Sequence, residues 1–269
     1  MAPRIENVRF IVAVASGKGG VGKSATAANL AAALAVQGLK VGMLDADIYG
    51  PSQPRMLGVH TVKPESDGAR IDPVITHGIK LMSMGFMVAE DAALVWRGPL
   101  IQKALIEMIK QVNWAPLDVL VVDMPPGTGD VQLSLGQQAH VDGAVIVSTP
   151  QDIALIDARK GYEMFKKINV PVLGMVENMS MFCCPECGAE SSIFGHGGAE
   201  KLAETVGISL LAEVPLSFTI RQNTDEGRPV VVSAPDTPEA AAYRTLAQKV
   251  WDKLLDTENQ PNITKVVIE

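Results

Sequence analysis

Aromatic side chains are scarce in this chain: Phe, Tyr and Trp together make up 4% of its 269 residues. The core must therefore be aliphatic, and Ala, Val, Leu, Ile and 12 Met provide it within an apolar fraction of 47%. Cysteine is rarer still. The three present, Cys183, Cys184 and Cys187, are odd in number and crowded together, which argues against a secreted disulfide framework. Positive charge is also short, since 23 Lys and Arg face 30 Asp and Glu, giving a net charge of −7 and a pI near 5.2. Bulk attraction to nucleic acid is thereby disfavoured, and no nucleic-acid partner is expected. Long hydrophobic runs are missing too: Leu30 to Val36 is too short to span a bilayer. The opening residues show no apolar core before a small-residue cleavage site. No membrane partner is expected, and the expected compartment is the cytoplasm. At 20% charged residues and a mean hydropathy of +0.19, the chain is not disordered.

What the chain does have is a regular alternation. Apolar, Val- and Ile-rich runs predict strands at Phe10–Ala15, Lys40–Leu44, Ile79–Ser83, Val119–Asp123, Ala144–Ser148, Val172–Val176 and Leu210–Val214. Helical stretches are expected at Lys23–Gln37, Leu100–Gln111, Ile153–Ile168, Ala199–Val206 and Pro238–Leu255. This pattern predicts an α/β fold, a doubly wound and mainly parallel sheet with helices on both faces and ligands at the carboxyl ends of the strands. One domain is expected over residues 1–255, with an ordered cysteine-bearing insertion at 178–198 and a loosely held tail at 256–269. Gly50 to Ile75, with several Pro and Gly, reads as loop.

Between the first strand and an Ala-rich helix stands Gly17-Lys18-Gly19-Gly20-Val21-Gly22-Lys23-Ser24. This is the G-x-x-x-x-G-K-[ST] phosphate loop in its required strand–loop–helix context. Its glycines let backbone N–H groups wrap phosphate oxygens, and the helix N-terminus adds its positive dipole end. Lys23 is expected to reach the β and γ phosphates of ATP, and the Ser24 hydroxyl to bind Mg²⁺. Asp123 closes an apolar run as a Walker B acid does, holding a Mg²⁺ water, and the Gly127 N–H is placed to sense a γ-phosphate. Lys18 is a second loop lysine, able to neutralise phosphate in its own site or a neighbour's, or else simply solvated.

Cys184-Pro-Glu-Cys187-Gly is a tight thiolate pair that can grip one metal, with Gly188 relaxing the turn. A tetrahedral sulfur site needs about four ligands. A two-fold dimer would bring two such pairs together across its axis. Zinc, an iron–sulfur cluster and a redox disulfide all stay open on this chemistry. Cys183 reads as a buried or spare thiol, and His196 as part of a glycine turn.

The loop with its early lysine resembles the deviant Walker A of the MinD/ParA-like ATPases. Asp45-Ala-Asp47-Ile-Tyr-Gly-Pro-Ser, Trp96-Arg97-Gly-Pro, Val122-Asp-Met-Pro-Pro-Gly-Thr-Gly-Asp130, Asn178-Met-Ser and Cys184-Pro-Glu-Cys187 extend the likeness over nearly the whole chain. Taken in order, they resemble the Mrp/ApbC family of iron–sulfur cluster carriers. The resemblance implies an ATPase whose Lys18 contacts nucleotide across a face-to-face homodimer. It implies that Asp45 organises Mg²⁺ waters, Asp47 orients the attacking water and Asn178 contacts adenine. It selects a 4Fe–4S cluster bridging two subunits through Cys184 and Cys187, delivered to apo iron–sulfur proteins. Ala25 departs from the pattern, standing where many relatives carry a hydroxyl beside the α-phosphate. Two rival readings are a partitioning or positioning ATPase of the same superfamily and an NTPase with structural zinc at its dimer interface. The first lacks its basic terminal helix here, since 256–269 holds only Lys265.

Overall fold

The computed structural model describes residues 2–86 and 98–259. In chain order the elements are β1 (Val8–Ala15), α1 (Lys23–Val36), β2 (Val41–Asp45), α2 (Gln53–Met56), β3 (Val74–Thr76) and β4 (Ile79–Ser83). Next come α3 (Gly98–Gln111), β5 (Leu117–Asp123), α4 (Asp130–Gln138), β6 (Gly143–Ser148), α5 (Asp152–Lys167) and β7 (Val172–Cys183). The chain continues with β8 (Glu190–Ser191), α6 (Gly198–Val206), β9 (Ser209–Leu216), α7 (Phe218–Asp225), α8 (Val230–Ser233) and α9 (Pro238–Asn259).

Among the described residues nine strands form one sheet, ordered β3-β4-β2-β5-β1-β6-β7, with β8 and β9 both pairing β7. Only β3 with β4 and β7 with β8 run antiparallel. β1 lies between β5 and β6, so the chain winds outward from it in both directions. That reversal opens a crevice at the carboxyl end of β1, where ligands bind in such sheets. β2 and β6 are buried along their whole length, which is why their sequences run apolar without alternation up to the polar residue that ends each strand. α1 is buried from Thr26 to Leu34 because it is wedged between the sheet and α8 and α9. Five of those nine residues are Ala, which lets the helix lie close on both sides. α9 buries Tyr243, Leu246, Ala247, Val250 and Leu254, the stripe of an amphipathic helix seated on α1.

Each expected strand is present, and the structure extends or adds to several expectations. β7 runs on to Cys183, so the cysteine segment begins as a continuation of a sheet strand rather than as a separate insertion. Gly50 to Ile75, expected to be loop, holds the single turn α2 and the start of β3, elements too short to leave a periodic signal. α4, α7 and α8, not expected from the pattern, are also short. α9 continues through Asn259, so the expected loose tail starts as helix, and its remainder lies outside the described residues. Trp96 and Arg97 also lie outside them.

Candidate functional site

The loop from Gly17 to Gly22 leaves β1 and enters α1 with Gly20 and Gly22 in the left-handed region, at φ +83° and +80°. Gly22 is the N-cap and offers no side chain, so the first amides of α1 stay available to an anion. Two glycines are dictated by space as well. A Cβ on Gly17 would lie 2.1 Å from the Asp157 carbonyl carbon of α5, and one on Gly22 would lie 2.0 Å from Asn178 Nδ2. Gly19 and Val21 complete the loop, Gly19 in the open and Val21 buried. Asn178 donates to the Val21 carbonyl at 2.8 Å, so this side chain clamps the loop as well as bordering the cavity beside it. Ala25 lines the same cavity.

Behind the loop, β2 and β5 end side by side and their register pairs Asp45 with Asp123, both fully buried. Two carboxylates at the tips of neighbouring parallel strands repel unless each is compensated. Lys23 forms a buried ion pair with Asp123 Oδ1, and its ammonium also donates to Ser24 Oγ at 3.1 Å. Among the described residues Asp45 has no cation of its own. Its Oδ2 accepts from the amides of Ser52 (3.0 Å) and Gln53 (3.1 Å) and from Ser83 Oγ (2.9 Å), and its Oδ1 from the Asp47 amide at 3.2 Å. These bonds stabilise the charge incompletely. Burial, then the facing Asp123, push the Asp45 carboxyl up to about 7. Asp47 is half-buried at the mouth and is raised as well, by burial first and Asp123 next, against the pull of Lys23. Lys18 is half-buried and makes no ion pair among the described residues.

Gln53 carried no signal in the sequence, yet it joins the two acids. Its Nε2 donates to Asp123 Oδ2 at 2.8 Å and to the Ser24 carbonyl at 3.0 Å. Its Oε1 and the Ser52 hydroxyl are buried without a partner among the described residues. Gln132 ties down the next loop by donating to the carbonyls of Pro125 and Gly127, and the Gly127 amide donates to Ser16 O. The side-chain donors gathered here (Ser24, Asp45 and Asp123) are all oxygens, the set that suits a hard ion such as Mg²⁺. The orphaned Gln53 and Ser52 oxygens are further polar atoms of the kind that a hydrated cation satisfies.

β7 connects this cleft to the cysteines. Asn178 lies in its middle, Cys183 at its end, and a hairpin through Cys184 and Cys187 returns as β8. A cavity of about 530 Å³ runs from Gly22, Ala25 and Asn178 to Phe182 and Ile193 of the hairpin and Phe218 of α7. Phe182 and Phe218 meet edge to face at 6.1 Å. The hairpin turn is closed by Cys184 and Gly188, whose amide donates to the Cys184 carbonyl at 2.9 Å. The backbone amides of Cys187 and Glu186, with the Cys187 thiol, face the Cys184 sulfur and hold it below the usual thiol range, favouring the thiolate. Cys183 and Cys187 are exposed, which overturns the buried reading of Cys183. At the foot of the hairpin Glu177 accepts from the amides of Gly197 and Ala199, and His196 pairs with Glu213 at 2.9 Å. These contacts account for all three groups as a helix cap and a surface ion pair.

The comparisons with known proteins agree with this geometry. The family model of the ParA type described as NUBPL iron-transfer P-loop NTPase matches residues 7–251. The chain is 56% identical over 253 residues to the iron-sulfur cluster carrier protein of Escherichia coli, covering 94% of this chain and 69% of that protein. It is 54% identical to the iron-sulfur cluster transfer protein NUBPL of Mus musculus, covering 93% and 79%. A nucleotide-binding protein from Archaeoglobus fulgidus, solved in complex with ADP and with cobalt found in it, superposes with a TM-score of 0.74 at 41% identity, covering 84% and 89%. Strand order, phosphate loop and these matches together place the chain in the ParA-type family of NUBPL iron-transfer P-loop NTPases.

Proposed function

We propose that the chain is an ATP-hydrolysing carrier that holds an iron–sulfur cluster between two copies of itself and passes it to apo-proteins. The observation that carries the reading is the sharing of one strand: β7 clamps the phosphate loop through Asn178 and ends at the cysteine hairpin. The cavity beside the loop is lined by Phe182 and Ile193, which flank the cysteines, and this supports a coupling of nucleotide occupancy to the hairpin bearing Cys184 and Cys187.

In this reading the amides of Gly17, Lys18, Gly19, Gly20, Val21 and Gly22 wrap the phosphates, and Lys23 turns from Asp123 to the β and γ oxygens. The adenine sits in the cavity beside Ala25 and Asn178. Ser24, Asp45 and Asp123 hold the Mg²⁺ site, and the ion supplies screening of phosphate charge. Asp47, at the mouth, orients the attacking water, and Lys18 reaches the nucleotide of the second copy. Each subunit contributes Cys184 and Cys187, and two subunits complete the four thiolates of a 4Fe–4S cargo. The odd, clustered cysteines suit the reducing cytoplasm as the place of work.

Anaerobic reconstitution with iron and sulfide, followed by visible absorption and metal analysis, tests the reading. About four iron and four sulfide per dimer are expected, lost in Cys184→Ala and Cys187→Ala and retained in Cys183→Ala. Stoichiometric zinc without sulfide would replace the carrier with a zinc-stapled NTPase.

A further inference from the structure

We infer that Gln53 is a positioning residue for the divalent cation: its carboxamide keeps Asp123 aimed at the cation site after Lys23 has left for the phosphates. The inference rests on the phosphate and magnesium part of the reading above and not on the cluster.

In the described conformation both oxygens of Asp123 are occupied, Oδ1 by the Lys23 ammonium and Oδ2 by Gln53 Nε2 at 2.8 Å. In the proposed reading a bound nucleotide draws the Lys23 ammonium toward its phosphates, whose greater negative charge competes with Asp123 for it. When it turns away, Asp123 loses its cation while Asp45 still faces it across the sheet register. An acid freed in this way would rotate or take up a proton. Gln53 prevents the rotation. It is fully buried, and its Nε2 spans from Asp123 to the Ser24 carbonyl, linking the acid to the residue whose hydroxyl faces the same site.

Gln53 is itself held from the other side. Its backbone amide donates to Asp45 Oδ2, beside the Ser52 amide and the Ser83 hydroxyl on the same oxygen. Gln53 therefore ties the two acids of the site to each other, Asp45 through its backbone amide and Asp123 through its side chain. The buried, unpartnered Gln53 Oε1 fits this role, since an amide whose nitrogen is fixed on Asp123 has its oxygen left to accept from a cation-bound water. An outer-shell partner of this kind commonly changes metal affinity ten- to a hundredfold when removed.

The test is calorimetric titration of ADP into the purified chain, first in EDTA and then at stepped Mg²⁺ concentrations. In the wild type Mg²⁺ is expected to tighten ADP binding. In Gln53→Leu the affinity in EDTA should be unchanged, while the Mg²⁺ concentration giving half the tightening rises about tenfold. Gln53→Met, which keeps the side-chain length, should show the same split and serves if the Leu variant does not fold. An unchanged Mg²⁺ midpoint in a folded variant would overturn the inference. So would equal losses with and without Mg²⁺, which would mark Gln53 as merely structural. Absence of any Mg²⁺ effect in the wild type would instead overturn the magnesium site itself.

Discussion

Asp45 and Asp123 lie at matching positions on adjacent strands, and among the described residues only Asp123 has a cation. Asp45 therefore keeps its proton to about pH 7 in the folded chain, whereas an ordinary Asp loses it near 3.8. Between those values the folded state binds more protons than the unfolded one, so stability falls as pH rises from about 4 to about 7 and is level above. Asp47, shifted in the same direction, adds to the slope. Chemical denaturation of the nucleotide-free chain across this range should show the decline, and Asp45→Asn should flatten it by up to about one proton. The acids, Lys23 and Ser24 were legible in the sequence because their chemistry comes with a motif. Gln53 was not, because its importance lies in two hydrogen bonds to residues far away in the chain, and no spacing encodes those.

Among the elements, the loop after β1 is held from two sides, by α5 and by β7. Gly17→Ala would drive a methyl group into the backbone of Asp157 and Ala158. A loss of about 1–3 kcal/mol is expected from such overpacking, with weakened ADP binding in the same titration. Gly19→Ala, which meets nothing within 4 Å, should stay within about 0.5 kcal/mol of wild-type stability. β7 is the second element of interest. Its Glu177 is fully buried and spends both oxygens on the amides opening α6, which pins the returning foot of the cysteine hairpin. Glu177→Gln leaves one of those amides without its acceptor, at a cost of about 1–3 kcal/mol. Hydrogen exchange should quicken at Gly197 and Ala199 before it does in α1. The strand from Val172 was readable from its apolar run, but its continuation to Cys183 was not. The continuation includes polar and half-buried residues, and it is held as strand by pairing with β8 and β9.

At the scale of the whole molecule, the proposed reading has the phosphate loop and the cysteine pair each completed by a second copy. Lys18 makes no ion pair among the described residues, Cys184 and Cys187 are free thiols, and in the proposed reading the two cysteines are half of a four-thiolate site. If nucleotide and cluster are controlled through one interface, Lys18→Ala should still load iron and sulfide yet transfer them to an apo-acceptor at a rate that no longer responds to ATP. Transfer followed by circular dichroism of the acceptor checks this, and an unaltered ATP response in the variant would separate the two sites.

The amino-acid sequence by itself determined the strand–loop–helix that binds phosphate, the strands buried on both faces and the thiolate pair. Each of these is local: a glycine spacing, an apolar run, two cysteines one turn apart. Tertiary structure alone decided what compensates Asp45, which residue bridges it to Asp123, and that one strand carries both the loop clamp and the cysteines. Those relations depend on strand register and on hydrogen bonds between residues up to 157 positions apart, as for Asn178 and Val21. Local sequence carries no trace of such distances, because the energy that selects them appears only when the sheet has closed around its buried charges.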